Sequence, residues 1–206
     1  MRTEGDNNTE QMILETAEKL FLMKGFAMTS TVEIAREAGC NQALVHYYYR
    51  SKEKLFETIF EKKVKIFIST FFSEHDANLS FEEKLANKIE AHFDILYANP
   101  QMPFLILNEV ITNPKRLESL KDKIKPFAMT VLMPFQRDLD MEIAKGNIRQ
   151  TNLIDLLLSI LALNVVMFLT KPVIKNIGEI DEEEFNQILI RRKHENVRII
   201  LSSLKP

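Results

Sequence analysis

Apolar positions recur at helical spacing along nearly the whole chain, and strand-like alternation is absent. Met12, Ile13, Ala17, Leu20 and Phe21 mark a first stripe from Thr9 onward, behind a polar residue 1–8 segment that the pattern leaves outside the helix. Gly25 supplies its stop. Ser30 or Thr31 can cap a short helix in which Val32, Ile34, Ala35 and Ala38 point inward, and Gly39 turns the chain into another of about residues 42–48. Ser51 opens a longer helix through Leu55, Phe56, Ile59, Phe60, Phe67 and Phe71. Ser80 opens the next, with Phe81, Leu85, Ile89, His92, Phe93 and Leu96 on one face. Asn99-Pro100 and Asn113-Pro114 each read as a cap followed by a first-turn proline. Pro126 and Pro134 are expected to delay or kink the following segment, which Gly146-Asn147 ends. The last two helices are expected over about residues 152–170 and 181–204, giving an all-α chain of about nine helices.

Composition narrows the class only modestly. The chain has 206 residues, 46% of them hydrophobic and 27% charged, with a formal net charge of −2, an ordinary globular profile that does not suit coating nucleic acid by bulk charge. The lone cysteine, Cys40, excludes an internal disulfide; with no basic-then-apolar leader at the N-terminus, the expected compartment is cytoplasmic. Between residues 36 and 65, seven basic side chains stand against four acidic ones, an excess of 3 that fits a small phosphate footprint.

The stretch from Thr31 to Lys52 holds the most specific chemistry. Two short helices joined at a glycine can place the second in a DNA major groove while the first crosses the backbone. Ile34, Ala35, Ala38, Val45 and Tyr49 can form the underside, which leaves Gln42, Ala43, His46 and Tyr47 facing out. Glutamine pairs bidentately with adenine, and small apolar groups meet the thymine methyl. Tyr48, Ser51 and Lys52 are placed to reach phosphates, which fix register.

In order and spacing, Gly39, Tyr47-Tyr48-Tyr49 and Ser51-Lys52-Glu53-Lys54-Leu55, preceded by Gly25-Phe26, Thr29, Thr31, Ile34-Ala35 and Ala38, resemble the TetR family of bacterial transcriptional regulators. The close resemblance runs from about Thr9 to Leu55. It implies an N-terminal three-helix helix-turn-helix DNA-binding domain over residues 1–55, and a C-terminal helical ligand-binding and dimerisation domain over residues 56–206. It also implies a ligand-responsive regulator, most often a repressor, that binds a palindromic operator as a homodimer and is released by a small, mainly apolar effector. The DNA-contacting residues so implied are Thr31, Gln42, Ala43, His46, Tyr47, Tyr48, Ser51 and Lys52. Cys40 stands where the family usually has an aliphatic residue, and fits there as a small hydrophobe.

A two-turn recognition helix needs a second copy one DNA turn away. Leu153 to Leu169 is almost continuously apolar, yet its Asp155 and Asn164 argue for a covered helix rather than a membrane span. With Phe185, Ile188, Leu189, Val197, Ile200, Leu201 and Leu204 of the last helix, it is the expected homodimer seam. The central region is rich in Phe and Met, which line adaptable pockets as readily as they fill cores. Phe67, Phe71, Phe93, Met102, Phe104, Met129, Met133 and Phe168 are the candidate effector-binding side chains, with His92, Asn108, Glu109 and Arg137 as candidate polar anchors.

Other function classes fit less well. His46, His75, His92 and His194 are dispersed, no metal-ligand or nucleophile spacing occurs, and no Gly-rich phosphate loop exists between Gly39 and Gly146. No catalytic residue, metal or cofactor is therefore expected. A helical small-molecule carrier or interaction module whose N-terminal unit no longer reads DNA is the competing class, with an enzyme third.

Overall fold

The computed structural model describes residues 4–70 and 79–206, and among them finds ten helices and no strand. They are α1 (Glu4–Lys24), α2 (Thr31–Glu37), α3 (Gln42–Tyr49), α4 (Lys52–Thr70), α5 (Phe81–Ala98), α6 (Met102–Thr112), α7 (Pro114–Ala144), α8 (Leu153–Leu169), α9 (Lys171–Gly178) and α10 (Glu182–Ser203). The chain divides into two compact units, residues 1–64 with 105–117, and residues 65–104 with 118–206, so one division falls inside α4.

The first unit is built on an aromatic cluster. Phe21 of α1 meets Phe56 of α4 edge-on with centroids 4.9 Å apart, Phe26 meets Phe56 at 5.0 Å, and Phe60 stacks on Phe56 at 5.6 Å. Around it Ile13, Ala17, Ile34, Ala35, Ala38, Val45, Leu55 and Ile59 are buried, the apolar stripe that fixes α2 and α3 against α1 and α4. Burial of this size, at about 1.5–3 kcal/mol per large side chain, is what holds helices too short to persist alone. Lys63 of α4, itself buried, is paired with Glu18 of α1 at 2.5 Å.

In the second unit α5, α8 and α10 pack together, joined by the C-terminal half of α7. Leu85, Ile89, Phe135, Leu139, Ile148, Leu153, Leu156, Ile160, Ile200 and Leu204 form one continuous core. Phe81 stacks on Phe135 at 5.9 Å, and Arg149 N–H donates to Leu204 C=O at 2.9 Å, which ties the α7–α8 connection to the end of α10. A reciprocal capping box starts α5 (Ser80 with Glu83) and another starts α10 (Asp181 with Glu184).

Several local expectations need correcting. Helix α1 extends back to Glu4 rather than beginning near Thr9. Val32 is 59% exposed rather than inward, so α2 rests on Ile34, Ala35 and Ala38 alone. Asn99 does not open a helix at Pro100. Its N–H and side-chain amide both bond back to Ile95 C=O, closing α5, and α6 starts at Met102 with Pro103 in its first turn. Neither Pro126 nor Pro134 breaks α7. Both prolines are exposed, as are Asp122 and Thr130 four residues before them, so water can serve the carbonyls that lose their partners. Finally α9, with Pro172 in its first turn, fills a segment that the sequence pattern left as a connection.

Candidate nucleic-acid interface

Side-chain caps and a glycine turn set the local α2–α3 geometry. Ser30 rather than Thr31 caps α2, its hydroxyl accepting from Glu33 N–H at 3.1 Å. Gly39 adopts φ 67°, where a side chain costs backbone strain although a Cβ would touch nothing within 4 Å. Asn41 then caps α3 by accepting from Leu44 N–H at 3.0 Å. At the far end of α3, Arg50 at φ 63° closes the helix, its N–H donating to His46 C=O, and Ser51 accepts from Lys54 N–H at 3.2 Å to cap α4.

These constraints orient α3. Val45 is 1% exposed, and Tyr49 is half-buried with its hydroxyl donating to Glu10 C=O at 3.3 Å. Gln42, Ala43, His46 and Tyr47 are all exposed, Tyr47 at 62%. Tyr48 is half-buried, and its ring meets that of Tyr47 edge-on at 5.1 Å. His46 Nδ1 lies 3.1 Å from Arg50 C=O, an acceptor only, so Nδ1 bears the proton of that bond. Thr31, His46, Ser51 and Lys52 share an open concavity of about 460 Å³ with Thr29 and Ser30. All eight sequence-derived DNA candidates thus lie on α3 or on the helix starts flanking it.

Two of those candidates have partners that the sequence did not disclose. Gln42 Nε2–H donates to Thr31 Oγ1 at 3.0 Å, linking the first residues of α3 and α2. Lys52 Nζ donates to Phe26 C=O at 3.1 Å and Thr29 C=O at 3.0 Å while sitting 4.1 Å above the Phe26 ring. That ammonium both anchors the turn before α2 and places its charge in the concavity.

The effector candidates fall into three groups. Phe93 and Phe168 are buried with centroids 5.3 Å apart, Met102 is buried, and Phe67 lies edge-on to His92 at 4.7 Å. Phe104, Met129 and Met133 are 62%, 44% and 47% exposed, outside this buried set. Phe71, like His75, lies outside the described residues. Of the polar candidates, His92 and Glu109 are buried, Asn108 is half-buried and Arg137 is exposed.

Around His92 runs a buried polar chain that sequence reading missed. Asn164 of α8 donates from Nδ2 to Ile89 C=O and towards His92 Nδ1, both at 3.0 Å. Asn196 of α10 donates to Asn164 Oδ1 at 2.9 Å and to Leu163 C=O at 3.0 Å, and accepts from Arg192 at 2.7 Å. Because Nδ1 of His92 accepts, its ring proton sits on Nε2. Burial pushes the imidazole down to about 3, so it is neutral at physiological pH. Among the described residues no group of three or more His, Cys, Asp or Glu could hold a metal ion, and no single helix is long and apolar enough to cross a membrane.

Comparison with known proteins converges on the same unit. Residues 13–59 match the family of bacterial regulatory proteins, tetR family. The chain is 24% identical over 138 residues to the fatty acid metabolism regulator protein of Bacillus subtilis, spanning 67% of this chain and 70% of that one. It is 33% identical over 89 residues to the probable HTH-type transcriptional regulator YttP of the same organism, spanning 43% of this chain and 42% of that one. Among solved structures it resembles the B. subtilis transcriptional regulator FadR in complex with stearoyl-CoA, with TM-score 0.68 at 19% identity, covering 94% of this chain and 98% of that one. A TetR-family transcription regulator from Shewanella sp. PV-4 aligns over 100% of both chains with TM-score 0.65 at 20% identity. These relatives are named as regulators rather than enzymes. The helix-turn-helix unit, residues 13–59, thus matches the tetR family of bacterial regulatory proteins, and the whole chain shares the fold of solved structures described as transcriptional regulators of that family.

Proposed function

We propose that this protein is a homodimeric repressor that sets α3 of each protomer in the major groove of a palindromic operator and is released by a mainly apolar effector. The observation that supports this most is the two-sided character of α3: Val45 is buried while Gln42, Ala43, His46 and Tyr47 form an exposed row. Thr31, Ser51 and Lys52, which share the concavity beside that row, and Tyr48, whose ring meets that of Tyr47, are the phosphate contacts. Residues 1–55 form the DNA-binding part and residues 56–206 the ligand-binding and dimerisation part.

The dimer seam is α8 with α10. Leu153, Leu156, Ile160 and Phe168 turn one face of α8 into its own core, while Ile154, Leu158 and Val166 stand 69%, 58% and 45% exposed on the other. An apolar stripe of this length fits a two-fold contact that covers about 800 Å² per partner. The effector site centres on Phe67, Phe93, Met102 and Phe168 in the second unit. The acyl chain in the B. subtilis FadR complex with stearoyl-CoA is the first ligand chemistry to offer. An effector that prefers a conformer with the two α3 helices out of register lowers operator affinity by its differential affinity for the two conformers.

Selection of bound duplexes from a random pool by the purified full-length protein tests the reading. The expected product is a palindrome with half-sites about one helical turn apart. A protein that enriches no sequence and still binds acyl compounds would instead be a carrier.

A further inference from the structure

The outward row of α3 contains one side chain whose direction is set from another helix. Thr31 is the first residue of α2 and Gln42 the first of α3, and the Gln42 amide N–H donates to the Thr31 hydroxyl oxygen at 3.0 Å. The Thr31 hydroxyl is available for this because Ser30 supplies the α2 cap. A glutamine amide offers two N–H groups and one carbonyl oxygen. With one N–H held by Thr31, a single N–H and Oε1 remain. That donor–acceptor pair matches N7 and the N6 amino group of adenine, whereas guanine presents two acceptors, N7 and O6, and calls for two donors.

We propose that Thr31 is a specificity-determining residue of the operator interface: by holding one amide proton of Gln42 it commits the other two groups to adenine. The inference rests on α3 being the helix that enters the major groove. Thr31 acts through Gln42, and its own O–H, not used in accepting, can donate to the phosphate oxygen beside that base. Backbone register and base reading are thereby joined through one hydroxyl. The clip also fixes a long side chain before DNA arrives, removing part of the rotamer entropy that glutamine otherwise loses on binding.

The test uses the full-length protein and duplexes carrying each of the four bases at the position where Gln42→Ala abolishes discrimination. Wild type is expected to favour adenine over guanine by about tenfold or more, within the range of one bidentate contact. Thr31→Val, which keeps shape and the Ser30 cap, is expected to reduce that ratio to about threefold or less, and Thr31→Ser to restore it. Far-UV circular dichroism checks that both variants fold. If Thr31→Val weakens all four duplexes by one factor and leaves the ratio intact, Thr31 is a phosphate contact alone and the inference fails. A wild-type preference for guanine overturns it as well, since that requires both amide protons. A wild type that retains no duplex at all overturns the reading of α3 and this inference with it.

Discussion

Replacing Asn196 with alanine is expected to destabilise the second unit by about 3–5 kcal/mol, an uncommonly large effect for one polar side chain. Asn196 is 0% exposed and makes three hydrogen bonds, to Leu163 C=O, to Asn164 Oδ1 and from Arg192. Leu163 C=O retains its place in the α8 ladder, so its loss is small. Asn164 Oδ1, equally buried, loses its donor, at about 1–3 kcal/mol. Arg192 loses a charged hydrogen bond, worth about 1 kcal/mol here because its half-buried guanidinium can recruit water. The deleted amide leaves a small void that adds about 1 kcal/mol. With no tryptophan in the chain, unfolding in urea is followed by circular dichroism at fixed protein concentration, since dimerisation shifts the midpoint. At about 2–3 kcal/mol per molar urea the midpoint falls by about 1 M or more. The Asn164→Ala/Asn196→Ala pair should show a coupling of about 1 kcal/mol or more, because the two amides bond each other. A midpoint shift below about 0.3 M, or additive single variants, would refute a cooperative chain.

The same chain gives a pH dependence. His92 is held down to about 3 from an ordinary 6.5, so the unfolded state binds its proton first, and stability present above pH 6.5 is lost as pH falls towards 3. Between pH 7 and 5 that group alone removes about 2 kcal/mol, a component of the urea-midpoint profile that His92→Gln should lack. Lys52→Met should cost about 2 kcal/mol through two charged bonds to carbonyls, and should lower the salt slope of duplex binding by about 2 per dimer in mobility shifts. Gly39→Ala should cost about 1–2 kcal/mol in thermal unfolding, from backbone strain at φ 67°. Leu158→Glu, placed in the exposed α8 stripe, should yield monomers by sedimentation and weaken operator binding without loss of helix content.

What the sequence disclosed and what it hid divide by distance along the chain. The α2–α3 unit was legible because its determinants are local: Gly39, the Asn41 and Ser51 caps, and an apolar underside within a few turns. The exposed row of α3 follows from the same periodicity. The Gln42–Thr31 bond was not legible, since it depends on which of two adjacent hydroxyls caps α2. Pro126 and Pro134 do not delay α7, which starts at Pro114, because residue type does not reveal that both sit on an exposed side of the helix. Asn164 read as an interruption of an apolar run. Its partners His92 and Asn196 lie 72 and 32 residues away, and only the packing of α5, α8 and α10 brings them within reach. The Phe and Met candidates were the least separable, because such side chains suit a core, a pocket or a surface. Phe93 is 2% exposed and Phe104 62%, yet both stood alike in the pattern.

The pairing of two α3 helices at the pitch of B-form DNA is tested most directly by half-site spacing. With the selected palindrome in hand, affinity and stoichiometry are measured by mobility shift for the native spacing and for duplexes in which about 5 base pairs are inserted at the centre, turning one half-site to the opposite face. Two protomers should bind the native duplex together, and the insertion should reduce affinity by about a hundredfold or more, to the level of a single half-site. Undiminished binding after the insertion, or saturation at one protomer per duplex, would contradict a paired reader.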